Sequence, residues 1–432
     1  MSEPAPNSHS TSSRPNRSGS RRWYALSLLL AIYAVNHIDR QVMYILGEPV
    51  REELGLSDGQ MGWILGGGFA VFYACMGIPI GRLADRSNRR NLIAIALTLW
   101  SAFTIASGRA TSFLGLMMAR IGVGIGEAGC TPPAHSMLSD LVPPERRASA
   151  LAFYALGVPF GTLFGLAAGG YLADTLGWRW AFYLVGAPGI ALALVVRLTL
   201  REPKRGAMEP DVDASQHTLG EVVEFIGGLR SVLHSLLGNS IQTLPLAAAA
   251  AFNPAYLQRA HGLSITQTGL YLGLIAGLIG GVAVFASGRI SDRLSQRDAR
   301  WIFWLPLAGA LVSIPFSALA YTTDTWWLAV TGIGAATLFN HLYSALGHAQ
   351  MQSLVKPRMR GMMSAIALFA MNIVGFGLGP LIVGYLSDAF GGGDQIRKAL
   401  LVLVLTCMPW ACIHYGLAAR SYRNDLLRKH ES

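Results

Sequence analysis

Long apolar blocks alternate with short polar segments along almost the whole chain. Twelve blocks approach or exceed the roughly 20 residues that cross a bilayer as a helix. They run about 23–46, 60–81, 91–108, 112–134, 148–170 and 179–199, then 232–256, 266–287, 301–320, 325–350, 361–386 and 397–418. The pattern predicts an all-α membrane protein whose helices fall into two six-helix sets, 22–200 and 232–419. The longest polar stretch, 201–231, lies between the sets and reads as a linker, within which 218–229 has the pattern of a short amphipathic helix on a membrane surface. Residues 1–21 are rich in Ser, Pro and Arg and lack an apolar core, so a disordered tail is expected rather than a cleaved signal. Residues 420–432 form a second polar tail.

Composition supports this pattern. Hydrophobic residues make up 52% and charged residues 13%, about half the charged share of soluble domains. The net charge of +10 raises the question of nucleic acid. The basic residues are instead scattered in short clusters between apolar blocks, most of them on the side that carries the termini. That bias, together with an even number of spans, predicts that both termini are cytoplasmic. A bacterial inner membrane is the expected location, and a monomer the expected state. The four cysteines all lie in apolar blocks without a CxxC pair, which argues against a disulfide framework or a zinc site. Gly124-Ile-Gly126-Glu-Ala-Gly129 spells GxGxxG, but inside an apolar run rather than between a strand and a helix, so no nucleotide cofactor is expected. No HExxH, GxSxG or phosphate loop points to an enzyme.

Charges inside spans mark functional sites by default. The stretch 116–133 carries Arg120 and Glu127 in an apolar helix, nearly two turns apart on one face, with glycines that let neighbouring helices approach. The first span adds Asp39 and Arg40, whereas the last six spans hold no Asp, Glu, Lys or Arg in their cores. Carboxylate-based coupling must therefore sit in the first half. Burial raises a carboxylate's pKa and a nearby arginine lowers it, so a partner that moves between states couples protons to conformation. Asp39 and Glu127 are the candidate proton carriers, with Arg120 as switching partner and Arg40 as substrate, switch or structural residue. A static ion pair that only fixes packing is the competing account. The second half offers neutral polar residues, among them Thr243, Asn340 and His341, as candidate cavity contacts. Phe69, Phe72, Tyr73, Phe153, Tyr154, Phe339 and Phe369 are candidates for contact with an acyl chain.

The two halves repeat. Gly81-Arg-Leu-Ala-Asp85-Arg86-Ser-Asn-Arg-Arg90 recurs as Gly288-Arg-Ile-Ser-Asp292-Arg293-Leu-Ser-Gln-Arg297, each after the second span of its half. Repeats at half-chain period mark secondary transporters built from two bundles. The glycines permit close helix contact, and the aspartates can accept hydrogen bonds from arginines and helix N-termini across the halves. Gly81, Asp85, Arg86, Arg90, Gly288, Asp292 and Arg293 are thus expected to form a cytoplasmic gate.

This loop resembles the signature loop of the major facilitator superfamily, with Asn88 where that family commonly has Gly. The Arg120/Gly124 run and Gly157–Gly161 resemble the family's fourth- and fifth-helix motifs. Asn36-His37-Ile-Asp39-Arg40 and the region 47–85 resemble the spinster family of lipid transporters, with His37 in place of a Tyr. A similar stretch occurs in organic-anion symporters of the same superfamily. The resemblance implies two pseudo-symmetric six-helix bundles and alternating access. It implies proton-driven movement of a lysophospholipid or sphingoid lipid, with Asp39, Arg120 and Glu127 as functional charges and Asn36 and His37 beside them. Transport of an organic anion or drug, and passive scrambling of lipid, remain the alternatives.

Overall fold

The computed structural model describes residues 17–208, 219–356 and 359–431. The tail 1–16, the middle of the linker and the side chain of Asp85 lie outside the described residues. Nine helices among the described residues are long and apolar enough to cross a membrane. Three more complete the two bundles. They are α1 (Arg17–Ile45), α9 (Arg230–His261) and α12 (326–354). These three are less apolar because they carry Asn36, His37, Asp39 and Arg40, then Asn239, Gln242 and Thr243, then Asn340, His341 and Gln350.

The first bundle continues through α2 (Gly47–Leu54), a short helix that sequence patterning does not separate from its surroundings. It goes on to α3 (Asp58–Ala84), α4 (Arg89–Ser107), α5 (Phe113–Leu141), α6 (Pro144–Leu176) and α7 (Trp178–Thr199). The linker helix α8 (Leu219–Gly227) follows. The second bundle comprises α9, α10 (Ile265–Ser295), α11 (Trp301–Thr322), α12, α13 (Arg360–Ala389) and α14 (Gly393–Leu427). A helix, α8, lies where the pattern of 218–229 expects one, and it packs on the second bundle. Its Val222 and Ile226 are buried against Met351, Leu354 and Tyr422 of the second bundle.

Local chemistry sets the helix ends. Ser57 and Ser264 each close a capping box with the glutamine three residues on, Gln60 and Gln267, at the starts of α3 and α10. In each case a glycine in left-handed conformation ends the preceding helix, Gly55 at φ 63° and Gly262 at φ 62°. The α5 glycines bring backbones together as the sequence predicts. A Cβ on Gly126 would lie 2.8 Å from the Trp100 backbone nitrogen, and one on Gly124 would lie 2.9 Å from the Phe69 carbonyl oxygen.

One apolar core is shared by the two bundles, and it lies at the end of the molecule opposite the termini. There Val42, Ile45 and Leu65 join Ile241, Leu244, Phe252 and Tyr256. The cores at the termini-bearing end are separate, one within the first bundle around Trp100 and Tyr154 and one within the second around Phe303 and Met363. Helix pairs follow the same divergence. α3 presses on α13 from Gly59 to Gly66, but around Gly77 and Gly81 nothing lies within 4 Å. α10 presses on α6 from Gly269 to Gly277, and Gly288 again faces open space. The molecule is closed at its far end and splayed at the termini-bearing end.

Candidate functional site

The charged residues of α1 and α5 meet in the middle of the first bundle. Asn36, Asp39 and Arg40 share one face of α1, three and four residues apart. Arg120 and Glu127 share one face of α5. All except Arg40 are almost entirely buried, with Asp39 and Glu127 at 0% exposure and Arg120 at 2%. The ion-pair partner of Glu127 is Arg40, whose Nε lies 2.5 Å from Oε2. Arg120, on the same face of α5, is the partner that the sequence pattern predicts, yet among the described residues no carboxylate stands within ion-pair distance of it.

Aromatic rings organise the two guanidinium groups. Arg40 lies 4.7 Å from the centre of the Phe69 ring and 4.6 Å from that of Tyr73. Arg120 lies 5.2 Å from the same Phe69 ring. Both guanidinium groups thus lie over the Phe69 ring, whose π-face attracts both. Phe69 and Tyr73, expected against an acyl chain, serve the arginines here. Several buried polar atoms have no hydrogen-bond partner among the described residues. They are both oxygens of Asp39, Glu127 Oε1, Arg120 Nε and Asn36 Nδ2. Trp100 and Thr104 of α4 face Asp39. An incompletely satisfied buried charge is costly, so this cluster is where the first bundle stores uncompensated polarity. His37 points elsewhere: its Nδ1 lies 3.1 Å from the Tyr33 carbonyl oxygen and its ring edges onto Tyr33.

The second-half candidates are engaged within their own bundle. Thr243 donates to the Asn239 carbonyl at 2.7 Å and shares a 3.2 Å hydrogen bond with Tyr343. The Asn340 carbonyl accepts from Gln242, and its side-chain oxygen is unpartnered. Asn340 lines a small cavity of about 30 Å³ with Asn253 and Tyr321. The His341 ring nitrogen Nδ1 lies 2.9 Å from the Thr337 carbonyl oxygen.

Among the described residues, the two loops expected to form a gate at the termini-bearing end do not meet. Arg86, Asp292 and Arg293 are exposed, and Gly81 and Gly288 face open space, because the helix pairs have diverged before reaching them. The Arg90 backbone N–H donates to Glu202, and its side chain donates to Asn91. The loop residue held by ion pairs is Arg89, which the sequence pattern does not single out. It is fully buried and pairs with Asp140 and Glu202 inside the first bundle and the linker.

The bundles are instead joined at the far end, by residues absent from the sequence-based candidates. Arg259 of α9 pairs with Glu48 at 2.5 Å and with Asp58 at 2.7 Å, and Ser387 donates to Asp58 at 2.6 Å. Burial opposes ionisation of Glu48, but hydrogen bonds from Arg51 and Arg259 outweigh it and hold the carboxyl below its ordinary 4.5.

This fold and site define a membrane transporter of two related bundles. The chain belongs to the major facilitator superfamily, whose family model matches residues 29–380 and 236–427. An MFS-type efflux pump of Mycolicibacterium smegmatis is 34% identical across 98% of this chain and 99% of its own. A probable galactarate/D-glucarate transporter of Bacillus subtilis is 27% identical across 95% and 94%. Among solved structures, a bacterial homolog to the human lysosomal transporter Spinster, in an inward-facing and unoccupied conformation, superposes with a TM-score of 0.86. It shares 29% identity over 94% of this chain and 98% of that one.

Two outcomes are expected. Arg40→Gln strands the Glu127 carboxylate and should cost about 3–5 kcal/mol, most of which Glu127→Gln recovers when added. Thermal unfolding of both single variants and the double variant checks this, and additive losses would show that the two side chains are not coupled. The stabilisation supplied by Glu48 is fully present above pH 4.5 and is lost as pH falls through its lowered value. Unfolding measured against pH should show an acid-side loss that is smaller in Glu48→Gln.

Proposed function

We propose that the chain is a proton-coupled transporter of an amphipathic lipid, of the lysophospholipid or sphingoid kind, working by alternating access. One observation carries this reading: two carboxylates and two arginines are buried together in one bundle, only one pair of them closed, opposite a bundle that offers neutral polar groups. Such a cluster is neutral overall when all four are ionised. Protonation of Glu127 dissolves its pair with Arg40 and frees a guanidinium for a headgroup, while Arg120 stands ready as the second cationic contact. Asp39, which faces Trp100 and Thr104 and has no ion-pair partner among the described residues, is the second proton carrier. The lipid tail rests along the apolar side of the splayed cleft. With both termini in the cytoplasm of a bacterium, the described conformation is inward-facing, and the likeness to the spinster homolog supports that reading. The chain acts as a monomer in the inner membrane.

A second reading has its own support. The unpaired guanidinium of Arg120 also suits the carboxylate of a sugar acid or a drug-like anion, and the sugar-acid relative favours it. Proteoliposomes loaded with a labelled lysophospholipid separate the readings. An imposed pH gradient should drive its flux, and Asp39→Asn or Glu127→Gln should lower the driven flux at least about tenfold, the effect of roughly 1.4 kcal/mol. Flux indifferent to the gradient would mark a scramblase. Suppression of binding by glucarate with no lipid flux would mark an organic-anion transporter.

A further inference from the structure

The far end closes by the same device twice, once on each side of the pseudo-twofold. Gly55-Leu-Ser57-Asp-Gly-Gln60 at the start of α3 repeats as Gly262-Leu-Ser264-Ile-Thr-Gln267 at the start of α10. Gly170-Tyr-Leu-Ala-Asp174 at the end of α6 repeats as Gly384-Tyr-Leu-Ser-Asp388 at the end of α13. The structure brings these two repeats together crosswise, each between opposite bundles. Asp388 accepts the backbone N–H groups of Asp58 and Gly59 at 2.9 and 2.8 Å, and Asp174 accepts that of Thr266 at 2.8 Å. The capping boxes of Ser57 and Ser264 satisfy one first-turn donor inside each helix, and the carboxylate from the other bundle takes donors they leave. The glycine one turn before each aspartate admits the approach. A Cβ on Gly384 would lie 2.3 Å from the Asp58 carbonyl oxygen, and one on Gly170 would lie 2.6 Å from that of Ile265.

We infer that Asp174 and Asp388 are paired gate residues of the transport cycle: each caps the N-terminus of a helix in the opposite bundle, and both caps must release before the far end opens. A negative charge at a helix N-terminus gains from the aligned peptide dipoles as well as from the hydrogen bonds. Both carboxylates are exposed, so water can replace their partners on opening and the latch stays reversible. The two copies are unequal. On the α3 side Arg259, Glu48 and Ser387 brace Asp58, the residue whose N–H Asp388 holds, whereas on the α10 side the added contact is a weak 3.5 Å bond from Thr266 to the Gly170 carbonyl. The latch works through backbone and carboxylate alone, whatever the cargo, and so stands or falls separately from the lipid reading.

Paired spin labels across the far end and across the termini-bearing end of reconstituted protein test it. Asp388→Asn and Asp174→Asn should each raise the far-end-open population about fivefold, within the range of a terminal charge on a helix dipole. The double variant should raise it by roughly the product, and the termini-bearing end should close in step. Unchanged far-end distances in both variants would overturn the latch. So would far-end loosening without closure at the other end, and a silent Asp174→Asn beside an active Asp388→Asn would refute its twofold form.

Discussion

The ion pair between Arg40 and Glu127 ties α1 to α5 at the centre of an apolar bundle, and the rest of the site is arranged around it. A lone carboxylate there would be expensive, and so would a lone guanidinium; together they tolerate burial. The pair positions Arg40 over Phe69 and Tyr73, and Phe69 in turn faces Arg120. The close approach that this requires depends on α5 lacking side chains at Gly124 and Gly126, so that α3 and α4 can press against it. Sequence, packing and charge thus act as one unit: glycines admit neighbouring backbones, neighbours supply rings, and rings attract the arginines. What the pair leaves unsatisfied, on Asp39, Arg120 and Asn36, is where chemistry remains available.

The second constraint is mechanical. Among the described residues the two bundles share a core only at one end. The far end holds them with ion pairs, helix caps and an apolar core, while the termini-bearing end keeps two separate cores and diverging helices. The conformation is therefore set by contacts remote from the buried charges. Any coupling between site and gate has to travel through α1, α3 and α5, which carry the cluster. α1 and α3 also reach the far end through Ile45 and Asp58.

Much of this was legible in the sequence. The apolar blocks located the helices because span length is fixed by the bilayer. Asp39, Arg120 and Glu127 stood out because charge in such blocks is rare. The pairing was not legible: helix periodicity puts Arg120 and Glu127 on one face, yet it says nothing of how α1 is rotated against α5, and that rotation gives Glu127 to Arg40. The signature loop drew attention to the termini-bearing end, where Gly81 and Gly288 face open space in this conformation. The far-end latch left a readable trace, the paired GYL-x-D and Ser-x-x-Gln repeats, but its partners come from opposite halves and only the fold brings them together. Arg89 had no such trace, since one arginine among several in a loop looks like any other until burial singles it out.

If protonation of the buried cluster moves the bundles, the distances between them follow pH. The most direct test follows far-end and termini-end distances together in wild type and Glu127→Gln between about pH 5 and pH 8, above the range in which Glu48 titrates. Wild type should change its population across this interval, and Glu127→Gln should start nearer the acid-limit population and keep only the smaller change that Asp39 contributes. Populations in wild type that ignore pH would contradict that coupling and leave the Arg40–Glu127 pair a packing device.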